Sequence, residues 1–246
     1  MKNELKRLDE FRKILSTYKM SETIKSELAK SSFIVLTAAS STGRNTIIRE
    51  LLKSGKYHFV VSDTTRKPRI NDGVLEQNGV EYWFKSEDEF IDGLINGKYL
   101  EAAIIHNQQV SGVNSSEILE SNKNNKIAVT DIEVQGVDAI ARSKPDIIAI
   151  FVLPPSLEEW MRRLKNRGKM PEDEIKRRLV SAVSEFDYAI KSKKFTYLIN
   201  DDFHHSVKLI DKIVHEGKAD IDYQKAAEKL IFKLRPEVKN LLSTLD

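Results

Sequence analysis

Residues 33–48 have the sequence FIVLTAASSTGRNTII, and this stretch decides the fold. Residues 33–36 are a short apolar run of the length typical of an inner strand in a parallel sheet. A loop of small residues, 38–46, follows, and residues 46–52 then place their apolar side chains at helical intervals. Strand, small-residue loop and helix in this order are the context in which backbone N–H groups at a helix N-terminus bind phosphate. The stretch is therefore a candidate phosphate-binding loop.

This loop departs from the G-x-x-x-x-G-K-[ST] pattern at three positions. Ala38 replaces the first glycine and keeps its small size without its dihedral freedom. Arg44 replaces the lysine and keeps the positive charge on a bulkier, planar group. Asn45 replaces the serine or threonine and offers a carbonyl oxygen to Mg²⁺. The loop alone therefore leaves two alternatives, a phosphate site and an ordinary strand-to-helix turn capped by Ser or Thr.

Composition restricts the class of protein. The chain has 246 residues, 31% of them charged and 40% hydrophobic, as in a globular protein with one large domain or one domain with appendages. It has no cysteine, which excludes disulfides and thiolate metal sites, and its net charge of +3 does not demand a nucleic-acid partner. The N-terminal residues lack the apolar core of a signal peptide, and no apolar run is long enough to cross a bilayer. We therefore expect a cytoplasmic protein without a membrane or nucleic-acid partner.

Apolar runs and helical periodicities alternate along the rest of the chain. Residues 127–131 and 147–153 are apolar runs of the inner-strand type, and a helix that contains Val137 and Ile140 separates them. Further strands are predicted at 57–62, 81–84, 99–106 and 195–199. Strands that alternate with helices favour an α/β fold with a parallel sheet covered on both faces.

Local signals predict where several of these elements begin and end. Ser86 followed by Glu89 is a capping-box pattern for a helix that runs to Ile95. The polar stretch 68–79 is predicted to be a loop, and residues 107–109 are predicted to form the tip of a hairpin. Between 156 and 189 the chain is predicted to be helical, with a stop and restart at 167–171, where a Gly precedes a Pro.

Both ends of the chain have amphipathic helical patterns. Residues 3–30 predict one helix that ends near residues 19–20 and a second, shorter helix through Leu28. Residues 221–245 have one apolar stripe, in which Pro236 is predicted to start or kink a final helix. Two interpretations of these ends remain open, helices that cover the core and arms for regulation or dimerisation.

Further motifs follow the loop in a fixed order. They are DTTRKPR at 63–69, NGVEY at 78–82, LE at 100–101, DIEVQGV at 131–137, PPS at 154–156, RLKNRG at 163–168, RRL at 177–179 and NDD at 200–202. In order and approximate spacing this set resembles the guanylate kinase family over about residues 33–215. The resemblance implies an α/β fold of the P-loop kinase type, a three-layer parallel sheet with a GMP-binding subdomain and a helical lid. The implied segments are a helical extension at 1–30, a guanylate kinase-like domain at 31–215 with its GMP-binding part at about 62–114 and its lid at about 157–190, and a helical extension at 216–246.

The resemblance also implies an ATP site with Mg²⁺. Phosphoryl transfer requires positive charge around the transferred group and exclusion of water, and lid arginines supply both. The implied catalytic residues are Arg44, Arg163, Arg167 and Arg178. The implied ATP-binding residues are Ser40, Ser41, Thr42, Gly43, Arg44, Asn45, Thr46 and Asn200. Asn45 and Asp131 are the implied Mg²⁺ ligands, Asp131 acting through water at the end of a strand.

A GMP site is implied by the second set of motifs. Arg66 and Arg69 follow a strand three residues apart and suit a dianionic phosphate, to which Tyr82 adds a neutral donor. Glu101 corresponds to a carboxylate that accepts hydrogen bonds from guanine, and such a site rejects a base that lacks those donors. Glu133 and Ser62 are the other implied guanine contacts.

Two departures from the family pattern leave alternatives to guanylate kinase activity. Ser111 stands where the family has a phosphate-binding Tyr, and Val113 stands where it has a guanine-binding hydroxyl. The sequence predicts an enzyme that converts ATP and GMP to ADP and GDP. The alternatives are a catalytically weakened binding module that uses the GMP cleft for an acidic partner, and a nucleoside monophosphate kinase with altered base preference. The expected partners are GMP and ATP, with a possible homodimer through the helical extensions.

Overall fold

A computed structural model describes residues 5–71, 73–166, 170–217 and 219–245. The helices within these ranges are α1 (Leu8–Thr17), α2 (Glu22–Leu28), α3 (Arg44–Lys53), α4 (Glu87–Ile95), α5 (Ser115–Lys123), α6 (Val134–Ser143), α7 (Leu157–Lys165), α8 (Glu172–Ser192), α9 (Phe203–Glu216) and α10 (Ile221–Thr244). The strands are β1 (Phe33–Ala38), β2 (Tyr57–Phe59), β3 (Asp63–Thr64), β4 (Ile70–Asn71), β5 (Val74–Leu75), β6 (Trp83–Phe84), β7 (Tyr99–Ile105), β8 (Gln109–Asn114), β9 (Ile127–Asp131), β10 (Ile148–Leu153) and β11 (Thr196–Ile199). No described helix has both the length and the apolar composition needed to span a membrane.

The chain divides into two compact units. The first unit consists of Met1–Phe33, Tyr57–Thr130 and Asp138–Ile147, so it holds the N-terminal extension and the predicted GMP-binding segment. The second unit consists of Ile34–Lys56, Asp131–Val137 and Ile148–Asp246, so it holds the candidate phosphate loop, the predicted lid and the C-terminal extension.

Parallel strands form the centre of the second unit. β10 lies between β1 and β11 and runs parallel to both, with Ala38 opposite Val152 and Leu153 opposite Ile199. The side chains of 33–36 and 149–153 are buried, as their continuous apolar runs predict. Because parallel strands end at the same edge of a sheet, the loop after β1 and the residues after β11 lie together at that edge.

The first unit contains a parallel pair and a separate mixed sheet. β2 pairs with β9 in parallel, with Tyr57 opposite Ile127. The mixed sheet has the strand order β6-β3-β8-β7, in which β7 and β8 form an antiparallel hairpin. His106 and Asn107 have φ values of 51° and 57° in its turn, which therefore begins one residue before the tip predicted at 107–109. The predicted α/β fold with parallel strands is confirmed, although β2 and β6 are shorter than predicted.

The N-terminal extension covers an apolar core in the first unit. The capping box of α4 forms as predicted, since Ser86 Oγ accepts from Glu89 N–H and the Glu89 carboxylate accepts from Ser86 N–H. Phe11 of α1 is fully buried against Phe90, with ring centroids 6.1 Å apart. α1 thus buries its apolar face within its own unit, as the core-covering interpretation expects, and the homodimer stays a prediction.

The C-terminal extension is one continuous helix. α10 packs against α7, α8 and β11 and continues through Pro236. Of the two predicted effects of Pro236, the start of a new helix is therefore wrong, and a kink in one helix stays a prediction. Proline removes one backbone donor and crowds the preceding turn. The buried side chains of Leu234 and Val238 lie on either side of Pro236, and their packing keeps one helix in place across it.

The prediction that 68–79 is a loop is wrong in its middle. β4 and β5 form a short antiparallel hairpin, in which Ile70 lies opposite Leu75. Gly73 adopts a φ of 80° in the connection, a conformation that glycine adopts without strain. The dipeptide Asp72-Gly73 in the sequence is a hairpin signal.

Candidate active site

The candidate phosphate loop ends on a glycine that no other residue can replace without a clash. Gly43 has a φ of 101° and is the N-cap of α3. A Cβ atom at Gly43 would lie 2.1 Å from Nδ2 of Asn200. The first backbone N–H groups of a helix have no acceptor within the helix, so the start of α3 offers donors and a positive dipole end to an anion.

Two side chains hold the backbone of this loop from outside it. Asn200 Nδ2 donates to the carbonyl of Thr42 at 2.7 Å, and Arg163 Nη1 donates to the same carbonyl at 3.1 Å. Arg163 Nη2 also donates to the carbonyl of Asn200 at 2.9 Å. Ser206 Oγ donates to Asn200 Oδ1, which fixes the orientation of the Asn200 amide. The predicted ATP residue Asn200 and the predicted catalytic residue Arg163 therefore meet at Thr42.

The predicted lid helices contact the loop at Ser40. Trp160 of α7 is fully buried and donates its indole N–H to the carbonyl of Ser40 at 2.7 Å. Arg178 of α8 donates from Nη1 to Ser40 Oγ at 2.6 Å. Arg178 lies in the second turn of α8. The predicted catalytic residue Arg167 lies outside the described residues.

Carboxylates hold the predicted lid arginines along their helices. Glu159 accepts hydrogen bonds from Arg162 and Arg163, and these bonds lower the pKa of Glu159 to about 2. Glu174 accepts from Arg178 and Arg177, which lower its pKa in the same way. Both carboxylates are therefore ionised at neutral pH. They hold Arg163 and Arg178 in the conformations in which these two side chains contact the loop.

Arg44 forms an ion pair rather than extending freely from the loop. Its Nη2 lies 2.6 Å from Oδ2 of Asp131, the predicted Mg²⁺ residue. Nε of Arg44 is buried and has no hydrogen-bond partner among the described residues. The loop cation is thus anchored at one nitrogen and retains a second, buried donor.

Glu185 of α8 is a site residue that sequence reasoning missed. Its Oε2 is buried without a hydrogen-bond partner among the described residues. Burial raises the pKa of Glu185 to about 7; the charge of Arg44 opposes this rise and that of Glu133 adds to it. The available signal was a lone acid on the apolar stripe of Ala182, Phe186 and Ala189.

These groups surround a cavity in the second unit. Its volume is about 690 Å³, within the usual range for ligand pockets. The loop residues 37–46 line it together with Glu133, Arg163, Glu185 and Asn200. Glu133, predicted to bind guanine, is exposed and lies in this cavity with the predicted ATP residues.

In the first unit, the predicted phosphate residues Arg66 and Tyr82 come together. Arg66 is 7% exposed and forms a bidentate ion pair with Glu76, in which Nη2 lies 2.8 Å from Oε1. The Arg66 guanidinium lies 4.7 Å from the ring centroid of Tyr82. Glu76 Oε2 also accepts from the backbone N–H of Arg69, whose side chain is exposed. Sequence reasoning missed Glu76, the residue that organises the group.

The predicted guanine residues of the first unit lie on or near the mixed sheet. Glu101 is half-buried on β7, opposite Val113 of β8. Val113 is 1% exposed, and Ser111 exchanges a hydroxyl hydrogen bond of 2.9 Å with Thr64. Ser62 is half-buried, and its carbonyl accepts from Trp83 N–H. The two departures from the family pattern are thus part of the sheet that carries Glu101.

The predicted metal residues offer only oxygen ligands. Within the described ranges, no group of three or more His, Asp or Glu side chains is arranged to hold a metal ion alone. Asn45 is exposed at the start of α3 and supplies an amide oxygen, and Asp131 supplies a carboxylate. This chemistry fits Mg²⁺, which is commonly bound by one or two protein carboxylates together with substrate phosphates and water.

A parallel sheet, a glycine-terminated loop at a helix N-terminus and surrounding arginines define a nucleotide-binding α/β protein of the P-loop class. The guanylate kinase family model matches residues 30–217. The chain belongs to the guanylate kinase family, and the predicted class, ATP-dependent nucleoside monophosphate kinases, is confirmed.

Individual relatives support the same assignment. The chain is 33% identical to a guanylate kinase of Clostridium tetani (strain Massachusetts / E88) over 196 residues, which are 79% of this chain and 90% of the relative. It is 37% identical to a guanylate kinase of Rickettsia typhi (strain ATCC VR-144 / Wilmington) over 192 residues, 77% of this chain and 93% of the relative. The crystal structure of guanylate kinase from Anaplasma phagocytophilum has the same fold, with a TM-score of 0.54 at 23% identity, covering 78% of this chain and 88% of that one.

Proposed function

We propose that this protein is a guanylate kinase, which transfers the γ-phosphoryl group of ATP to GMP and yields ADP and GDP. The observation that carries this proposal is the support of the phosphate loop. Asn200 and Arg163 both donate to the carbonyl of Thr42, and Gly43 keeps the start of α3 open, despite the changes at Ala38 and Arg44. A loop held in this way binds phosphate through its backbone, whatever its side chains are.

On the donor side, the loop residues 40–46 would bind the phosphates of ATP. Arg44, Arg163 and Arg178 supply positive charge around the transferred group, where the charge of the transition state is spread over oxygen atoms. Glu159 and Glu174 hold two of these arginines, so their reorganisation on binding is small. Arg167 is proposed to act with them from the same segment.

On the acceptor side, Arg66, Arg69 and Tyr82 would bind the phosphate of GMP. Glu76 holds Arg66 in a buried position, which fixes one guanidinium edge and orients the rest. Glu101 is proposed to accept hydrogen bonds from guanine, with Ser62 as a further contact. Glu133, also proposed as a guanine contact, is exposed in the cavity of the phosphate loop.

ATP and Mg²⁺ are the proposed cofactors. When bound, Mg²⁺ neutralises charge on the phosphate oxygens. Asn45 and Asp131 would hold it, Asp131 through water. Arg44 is held by Asp131, so its position depends on the same carboxylate. A cytoplasmic location and the absence of a nucleic-acid partner remain predictions.

One observation favours each of two other functions. In the Arg44–Asp131 ion pair, the side chain proposed to contact ATP is bonded to the side chain proposed to hold Mg²⁺. A binding module that has lost catalysis could keep the two side chains paired in this way. The buried Val113 opposite Glu101 replaces a hydroxyl with an apolar surface, as an altered base preference would require.

A coupled assay of ADP release tests all three functions. The purified chain receives ATP, Mg²⁺ and, in separate reactions, GMP, dGMP, AMP, CMP or UMP. We expect the highest kcat/KM with GMP. Absence of turnover with every acceptor, while calorimetry still detects GMP binding, would establish the binding module. Higher kcat/KM with AMP than with GMP would overturn the proposed role of Glu101.

A further inference from the structure

The N-terminal extension is bonded to the backbone of an edge strand. β7 lies at the edge of its sheet, and its first residue is Tyr99. The Tyr18 hydroxyl accepts from the N–H of Tyr99 at 2.8 Å and donates to its carbonyl at 2.7 Å. The register of β7 against β8 shifts between Tyr99 and Glu101. A single side chain therefore satisfies both backbone groups of Tyr99 at the irregularity that precedes Glu101.

The ring of Tyr99 is held as firmly as its backbone. It stacks on Phe90 with centroids 4.4 Å apart, and Phe90 in turn contacts Phe11 of α1. The Tyr99 hydroxyl donates to Asp63 Oδ2 at 2.8 Å. Burial raises the pKa of Tyr18 to about 12, so its hydroxyl keeps the proton that it donates. The N-terminal extension thus fixes the start of the strand that carries Glu101.

The C-terminal extension makes an equivalent contact in the second unit. β11 is the edge strand beside β10. The side-chain amide of Gln224 accepts from the N–H of Tyr197 at 2.9 Å and donates to its carbonyl at 2.8 Å. The Tyr223 hydroxyl accepts from the N–H of Ile199 at 2.8 Å. The residue after Ile199 is Asn200, which holds the phosphate loop.

Protection of edge strands is the simpler explanation of these bonds, because an open strand edge recruits other chains. That explanation predicts changes in stability and aggregation without a preference for one nucleotide. The positions of the bonds along the two strands indicate a further role. Each hydroxyl contacts the strand within two residues of a proposed binding residue, Glu101 or Asn200. Both α1 and α10 also lie outside residues 30–217, to which the family model is matched.

We propose that Tyr18 and Tyr223 are positioning residues, through which the N-terminal extension orders the GMP site and the C-terminal extension orders the ATP site. The inference rests on the proposed function. A binding group must be held close to its productive geometry by its supports. Loss of one supporting hydrogen bond therefore weakens the binding of one nucleotide and spares the other.

The test uses the full chain with Tyr18→Phe and Tyr223→Phe. The initial rate of ADP formation is measured while GMP is varied at saturating ATP, and then while ATP is varied at saturating GMP. For Tyr18→Phe, which removes both hydrogen bonds to the backbone of Tyr99, we expect KM for GMP to rise about tenfold or more, because the loss of one hydrogen bond is worth about fivefold to tenfold, and KM for ATP to change less than about twofold. For Tyr223→Phe we expect the reverse. Tyr197→Phe is the matched control, because its hydroxyl donates to the carbonyl of Ala189 and not to an extension.

The inference is supported if Tyr18→Phe raises KM for GMP alone and Tyr223→Phe raises KM for ATP alone. Equal changes in both KM values, or a lower midpoint of thermal unfolding with neither KM changed, overturn it and leave edge protection as the explanation. If Tyr18→Phe does not fold, Phe11→Leu loosens the same extension without removing the bond and is measured in its place. If the wild-type chain shows no turnover, the proposed function fails by itself, and calorimetric Kd values for GMP and ATP in the same variants then decide the inference.

Discussion

Arg44 and Asp131 form an ion pair in which Nη2 of the arginine lies 2.6 Å from Oδ2 of the carboxylate. The arginine stands at the position of the phosphate-loop lysine, and its guanidinium has five N–H donors where an ammonium has three. It contacts Asp131 through Nη2 while its Nε stays buried without a partner among the described residues. A guanidinium paired with Asp131 through Nη2 still has further N–H donors that a phosphate could use.

Arg44→Ala is expected to lower kcat by about 10²–10³-fold, the usual effect of removing one group that stabilises transition-state charge. Arg44→Lys restores the common residue of such loops and is expected to keep kcat within about tenfold of the wild-type value. The coupled assay with saturating GMP and ATP measures both. A wild-type kcat for Arg44→Ala would show that Arg44 does not replace the lysine.

Gly43→Ala is expected to weaken ATP binding severely, since its Cβ would lie 2.1 Å from Nδ2 of Asn200. We expect KM for ATP to rise more than about tenfold, the equivalent of 1.4 kcal/mol. Gly55→Ala is the matched control, because Gly55 also has a positive φ, 71°, but its added Cβ meets no atom within 4 Å.

The control separates backbone strain from the clash. Gly55→Ala is expected to lose about 1 kcal/mol of stability through strain alone and to leave KM for ATP unchanged. Similar KM values for the two variants would mean that the approach of Asn200 to Gly43 does not matter for ATP.

Much of the fold follows from periodicity along the chain. The apolar runs at 127–131 and 147–153 predicted β9 and β10 almost to the residue, because buried parallel strands need continuous apolar sequence. The Ser86–Glu89 pair predicted the start of α4, because a capping box is a local interaction. Pro236 does not start a new helix, one of the two effects predicted for it, since packing on α8 outweighs the local preference of proline.

The sequence predicted the site residues that belong to a motif. It did not predict the contacts of these residues with partners that are distant in the chain. Asn200 was implied by a motif, but its bond to Thr42 spans 158 positions in sequence and follows from strand order. Tyr18 lies 81 positions from Tyr99, and nothing near it in sequence indicates that contact. Glu76 pairs with Arg66 because the β4–β5 hairpin returns the chain, a hairpin that was predicted to be a loop.

Glu76→Ala is expected to destabilise the protein by about 3–5 kcal/mol, because it leaves the charge of Arg66 buried without its carboxylate. Both side chains are less than a tenth exposed, at 6% for Glu76 and 7% for Arg66. Glu120→Ala removes an exposed carboxylate whose Lys123 contact is 4.0 Å long, and it is expected to change stability by less than about 1 kcal/mol. Urea unfolding compares the two variants. Equal losses would show that the Arg66–Glu76 pair contributes no more than a surface pair.

Glu185→Gln is expected to make the stability of the protein less dependent on pH. The folded-state pKa of Glu185 is about 7, raised from the ordinary 4.5 chiefly by burial, so the folded chain keeps a proton that the unfolded chain releases. The contribution of this proton to stability is complete below about pH 4.5 and is lost as the pH rises through 7.

The glutamine variant keeps the neutral form at every pH. We therefore expect the free energy of unfolding of Glu185→Gln, relative to that of the wild type, to increase by on the order of 2 kcal/mol from pH 5 to pH 8, since one pKa unit corresponds to about 1.4 kcal/mol. Urea unfolding at pH 5, 6, 7 and 8 measures this difference. Glu185→Leu removes the same titration and should show the same trend with pH around a different mean. A difference between wild type and Glu185→Gln that is constant across this range would mean that the carboxylate is ionised in the folded protein throughout, with Arg44 as the counter-charge that outweighs its burial.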